Sequence, residues 1–169
     1  MASVIKVDTI QDATGAFEHA RLVQVVSTQT GAVATGTTII PGDDTIPQKT
    51  EGDEYMTLAI TPTHASNKLL IEVHAMGAVS ASNEFFTLAL FQDTTTNALA
   101  AIQTETSNLS NRSESISLNH YMTTGTTSST TFKVRMSGAS GTFTFNGNGG
   151  SRLFGGVTAS TMTISEIRE

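Results

Sequence analysis

The chain has no cysteine and no tryptophan, and only 14% of its 169 residues are charged. Without cysteine neither a disulfide framework nor a thiolate metal site can form, so stability has to come from packing or assembly. A basic face is missing as well. The net charge is −6 and the pI about 5.1, which argues against a nucleic-acid partner, since a phosphate backbone calls for clustered Lys and Arg. No stretch reaches the roughly 18 apolar residues of a membrane-spanning helix. The opening MASVIKVDTIQDATGAF carries Lys6 and Asp8 and no signal-peptide core. A soluble protein made in the cytoplasm, without membrane insertion, is expected.

What is present favours β structure. Ser and Thr are abundant, and Thr suits a half-buried pleated surface. Apolar residues alternate with polar ones in run after run. In YMTLAI, Met56, Leu58 and Ile60 share a face; in KLLIEVHAM, Leu69, Ile71, Val73 and Ala75 do, with Glu72 and His74 opposite. SISLNHYM, TTFKVRM, TFTF and STMTISEI repeat the pattern, and QDTTTN, TTGTTSST and NGNGGS between the runs are turn chemistry. No helix is expected. The spacing predicts an antiparallel β-sandwich or barrel of short strands.

Two stretches depart from simple alternation. EFFTLALFQ is apolar on both faces, with Phe86, Leu88 and Leu90 on one and Phe85, Ala89 and Phe91 on the other. Such a strand needs two covers, and a partner subunit is one way to supply the second. Phe85, Phe86, Leu90 and Phe91 are therefore candidates for core or subunit contact. Residues 1–40 hold two short β-prone pieces, SVIKVDTI and RLVQVVST, followed by the small-residue stretch QTGAVATGTTII. They read as an extended attachment arm ahead of a globular domain at 41–169. Val4, Ile5, Val7 and Ile10 are the candidate anchors, acting through an added strand or a groove.

Catalytic and metal-binding patterns are not found. Asp43, Asp44, Glu51, Asp53 and Glu54 form an acidic loop, but their spacing fits no EF-hand, and the loop reads as the lead-in to a strand. His19, His64, His74 and His120 form neither HxH nor HExxH, and there is no GxSxG or SxxK. GNGGSRLFGG, at 147–156, lacks the order of a phosphate loop and reads as a hairpin connection. No enzyme, metal or cofactor is expected.

Three stretches together carry a resemblance: MASVIKVDTIQDATG, GDDTIPQKTEGDEYMTLAITPTHASNKLLIEV and FGGVTASTMTISEI. They resemble a group of bacteriophage virion proteins described as tail-fibre-like or capsid decoration proteins, and the resemblance spans nearly the whole chain. It implies a short N-terminal arm followed by a jelly roll similar to the trimeric tumour-necrosis-factor and C1q type. It further implies a homotrimer in the virion that binds the major capsid protein or another virion component as a cement or short head-fibre protein. The alternative is a tail-fibre tip that recognises a host surface glycan or protein. With only some 40 residues ahead of the sandwich the chain has room for an anchor and not a shaft, and Tyr55 and Tyr121 are its only tyrosines. Both points favour decoration.

Overall fold

A computed structural model describes residues 21–106 and 109–168. The candidate anchors Val4, Ile5, Val7 and Ile10 lie outside these residues. The strands are β1 (Arg21–Thr30), β2 (Ala34–Gly36), β3 (Asp53–Ile60), β4 (Lys68–Val79), β5 (Phe85–Gln92), β6 (Ala100–Glu105), β7 (Ser113–Thr123), β8 (Thr130–Gly138), β9 (Phe143–Phe145), β10 (Gly147–Asn148), β11 (Ser151–Arg152) and β12 (Ser160–Arg168). Among the described residues the sole helical element is one 3₁₀ turn at Phe154–Gly156.

Every pairing is antiparallel, and the strands fall into two main sheets. In the first, β4 pairs with β7 along one edge from Lys68 to Ala78. Its other edge is shared, with β12 covering Lys68–His74 and β9 covering Gly77–Val79. Beyond these lie β1, paired with β12, and β2, paired with β9. The sheet is thus four rows wide. The second sheet has the order β3-β8-β5-β6. Because the chain crosses between sheets at nearly every connection, and only β5 and β6 are consecutive neighbours within one, the result is a jelly-roll β-sandwich. The expected fold class is what the chain adopts.

Alternation decides which side chains fill the space between the sheets. Leu69, Ile71, Val73 and Ala75 of β4, Ile116 and Leu118 of β7, and Met162 and Ile164 of β12 face Met56 and Ile60 of β3, Phe86, Leu88 and Leu90 of β5, and Phe132, Val134 and Met136 of β8. An aromatic group closes one end of this core. Tyr55 stacks on Phe145 with ring centroids 4.9 Å apart, and Phe143 tilts against both Tyr55 and Phe86. NGNGGS forms the hairpin β10–β11. Gly149 and Gly150 hold its two central positions with φ of 55° and 78°, the double positive φ that a type I′ turn requires.

The outward face of β5 corrects two expectations. Its cover is the chain itself. Ile40 lies buried against Ala89 and Phe91, with Ala98 beside them, and Gly42 lies so close to Phe85 that an added Cβ would come within 2.8 Å of the ring. Residues 38–52 therefore form a strap across the second sheet. Ile40 N donates to Ser137 Oγ (2.8 Å), and the Arg135 guanidinium donates to the carbonyls of Glu51 and Gly52 (2.8 and 2.7 Å). No partner subunit is needed to cover this face. The boundary expected at residue 40 also moves, since β1 and β2 are rows of the first sheet and Ile40 is core. The small-residue composition of 29–40 concealed this, because the burial there falls on a single isoleucine.

Truncating Ile40→Ala should cost about 2–5 kcal/mol, the usual range for a buried aliphatic residue, whereas Ile39→Ala at an exposed neighbouring position should stay within about 0.5 kcal/mol. Urea unfolding of both variants checks this; equal small effects would mean that the strap is not part of the folded unit.

Candidate functional site

The surface left over once the two sheets and the strap have packed is the outward face of the first sheet. Register sets its composition row by row. Leu22 pairs with Ile167, which pairs with Lys68 and then Thr123; Val25 pairs with Ser165, Leu70 and Tyr121 in the same way. These two rows bring Leu22, Ile167, Val25, Leu70 and Tyr121 to one end of the face, around Lys68, and Leu22 and Tyr121 are 59% and 58% exposed. The next rows, Ser27–Thr163–Glu72–Asn119 and Gln29–Thr161–His74–Ser117, carry mainly hydroxyls and amides. The apolar side chains share this face with Lys68, whose Nζ donates to Thr123 Oγ1 (2.9 Å), and with Glu72, so a protein surface that covers it has to offer partners to both charges.

The residues singled out in the sequence are dispersed. Phe86 and Leu90 are in the inter-sheet core, Phe91 is under the strap, and Phe85 is half-buried beside Gly42. Tyr55 belongs to the aromatic end of the core, while Tyr121 stands on the open face. His74 points outward, its Nδ1 2.9 Å from Ser117 Oγ. His120 points inward, where burial lowers its pKa. The acidic loop is bound up in its own hydrogen bonds. Asp43 accepts from Thr45 N and Oγ1, which lowers its pKa; Asp53 accepts from Thr38 N and Oγ1; Glu51 accepts from Gln48 N; Glu54 pairs with Lys133 and Arg135. These bonds fold the strap and lead it into β3. Among the described residues no three His, Asp or Glu side chains gather in a way that could hold a metal ion.

A buried carboxylate was not anticipated. Glu166 is 0% exposed. Its Oε1 accepts from Thr63 N (2.9 Å), Thr63 Oγ1 (2.8 Å) and Asn67 Nδ2 (2.6 Å), and its Oε2 accepts from Gln24 Nε2 (2.6 Å). Burial by itself raises the carboxyl pKa, but the bonds from Gln24, Asn67 and Thr63 outweigh it and hold the group down to about 2. The Gln24 amide also donates to Thr61 O, and Asn67 O accepts from Thr124 N. One side chain thereby joins β1, β12, the β3–β4 connection and the end of β7. The sequence did carry a signal: Glu166 is in phase with Met162 and Ile164, so alternation points it inward, where an acid must find donors.

No family model and no curated protein matches the chain. Among solved structures it is similar to the Eiger TNF of S. frugiperda, at 8% identity over 88% of this chain and 95% of that one, with a TM-score of 0.49. It is also similar to the C-terminal domain of EclA, a sugar-binding protein (14% identity, 82% and 86% covered, TM-score 0.39). A third is infectious bursal disease virus, Gx strain (10% identity, 97% and 41% covered, TM-score 0.41). Likeness at this level extends to the β-architecture and not to activity.

Because the folded pKa of Glu166 lies below its ordinary value, the folded state binds fewer protons than the unfolded chain between the two. The stability it contributes is complete above about pH 4.5 and disappears as the pH falls toward about 2. Denaturant titrations across that window should show the decline. Glu166→Gln, which sets an amide NH₂ among donors, should lose about 1.5–3 kcal/mol at neutral pH, the range for hydrogen bonds to a charged group, and should flatten the acid limb. An unchanged acid limb would remove Glu166 as its source.

Proposed function

We propose that the chain is a non-enzymatic structural protein of a bacteriophage particle, a homotrimeric capsid decoration or short head-fibre protein. The observation that carries the assembly is the open face of the first sheet: Leu22, Val25, Leu70, Tyr121 and Ile167 form an apolar area that the monomer leaves uncovered. The partner proposed for it is a second copy of the chain, with threefold symmetry following from the resemblance to trimeric jelly rolls. The virion setting rests on the resemblance carried by the three sequence stretches. In this reading Val4, Ile5, Val7 and Ile10 precede β1 and attach the trimer to the major capsid protein or another virion component, through strand addition or a groove. The added contact area at the junctions of capsid subunits would stabilise the particle.

The competing reading, a tail-fibre tip that recognises a host glycan or protein, is favoured by one feature, an exposed aromatic loop at Phe154.

Light scattering and particle binding separate the two parts of the proposal. The full chain should have the mass of a trimer, and Leu22→Lys combined with Tyr121→Lys should reduce it to a folded monomer, because like charges would meet in a desolvated contact. Ile5→Asp with Val7→Asp should leave the trimer intact and abolish binding to empty capsids. Binding to host cells but not to capsids would transfer the assignment to the tail-fibre reading.

A further inference from the structure

The loop Leu153–Val157 joins the β10–β11 hairpin to β12. Phe154 and Val157 at its tip are 79% and 82% exposed, the most exposed of the large apolar side chains described. The loop is held in shape. Phe154, Gly155 and Gly156 are consecutive residues in the left-handed region, with φ of 47°, 68° and 94°, and an aromatic L-residue adopts that conformation only where its surroundings impose it. Gly156 N donates to Leu153 O (2.8 Å), and Gly31 packs so tightly beneath that an added Cβ would come within 2.8 Å of Gly156 O. Arg152, adjacent to Gly156, is the only charged residue between Arg135 and Glu166. The tip is therefore a fixed apolar protrusion with one cation, on a chain of net charge −6.

The complementary surface is on the second sheet. Between the strap and β6 lies an open cleft of about 370 Å³ lined by Ala98–Ala101, Thr45, Ile46 and Pro47, with the exposed Asp43 and Asp44 as its acidic rim. An apolar cavity of roughly 150 Å³ accommodates a benzene ring, so the cleft has room for the Phe154 ring and part of Val157. The acidic rim is opposite in sign to Arg152. The tip arises at the first sheet and the cleft opens on the outer face of the second, so they do not meet within one chain.

We propose that Phe154 of one copy inserts into the Asp43/Asp44 cleft of a second copy, with Arg152 pairing to the acidic rim. This contact is heterologous: each copy uses its tip on one neighbour and offers its cleft to another, which links copies in series. The buried area is small for a stable interface, so the association is weak and concentration-dependent and becomes effective where copies are held close together. It uses neither the open face of the first sheet nor the N-terminal residues, and it does not depend on the function proposed above.

The absence of cysteine permits a direct test. Full-length Val157→Cys and Ala101→Cys chains, purified separately, mixed and mildly oxidised, should give a cross-linked dimer in several-fold excess over a mixture of Val157→Cys with Asn119→Cys, which lies on the other sheet. Adding Phe154→Ser to the Val157→Cys chain should bring the yield down to that control. Arg152→Glu on the same chain should also lower it, and Asp43→Lys with Asp44→Lys on the Ala101→Cys chain should restore it, a rescue that misfolding cannot produce. Equal yields with Ala101→Cys and Asn119→Cys, or yields indifferent to Phe154→Ser and to charge reversal, would overturn the proposal.

Discussion

Burial of β5 on both faces is the constraint on which most of this architecture depends. A strand whose outward positions are Phe85, Thr87, Ala89 and Phe91 cannot lie at a solvated sheet surface, because each exposed Phe would forgo about 1.5–3 kcal/mol of transfer free energy. The first sheet covers one face through Phe86, Leu88 and Leu90. Covering the other requires something to cross the second sheet, and the strap at 38–52 does so with one deeply buried residue, Ile40, and with polar ties to β8 at Ser137 and Arg135. The acidic residues of the strap follow from this role. Their carboxylates accept the backbone and hydroxyl donors of a segment that has no strand neighbour to satisfy them.

The strand faces were legible in the sequence because a period of two is a geometric consequence of the pleat. The inward sets named from alternation in β3 and β4 are inward in the structure, and the recurrence of short alternating runs points to the all-β class. What alternation does not report is which covering layer a face receives. Phe85 and Phe91 read as candidates for core or subunit contact, and the strap that covers them, TIIPGDDTIPQKTEG, has no periodicity to reveal it. The place of β1 in the first sheet is hidden from local pattern for a related reason. β1 is an edge strand with one buried row, so RLVQVVSTQT is only weakly patterned, and its place in the sheet is fixed by pairing with β12 across more than a hundred residues of sequence, a long-range contact that local composition cannot express.

Candidate sites were less legible than the fold, since site residues violate the rules by which the fold is read. Glu166 sits at an inward position where a hydrophobe would satisfy the pattern, and its ionised state survives there only because Gln24 of β1 and Thr63 and Asn67 of the β3–β4 connection converge on it. Phe154 is the reverse case, an aromatic residue that alternation leaves unassigned, held outward by left-handed backbone geometry and two following glycines. In both, local pattern and tertiary role disagree, and such disagreement marks functional or strained positions in otherwise consistent sequences.

The two sheets also differ in how their outer faces are treated, and the difference bears on assembly. The second sheet is closed by its own chain. The first is left open, its apolar rows at the end where β1 begins and its hydroxyl-rich rows at the other. Register sets Leu22, Ile167, Val25, Leu70 and Tyr121 in two adjacent rows, with Leu22 on β1 at one edge of the sheet and Tyr121 on β7 at the other, so the apolar side chains run across its width around Lys68. Glu166 lies directly beneath this end, on the inward side of the same strand as Ile167. The carboxylate network that ties β1, β12 and the β3–β4 connection together therefore also holds in place the strands that carry Leu22 and Ile167. Strands already ordered in the single chain lower the ordering cost of any association that the proposed contact would involve.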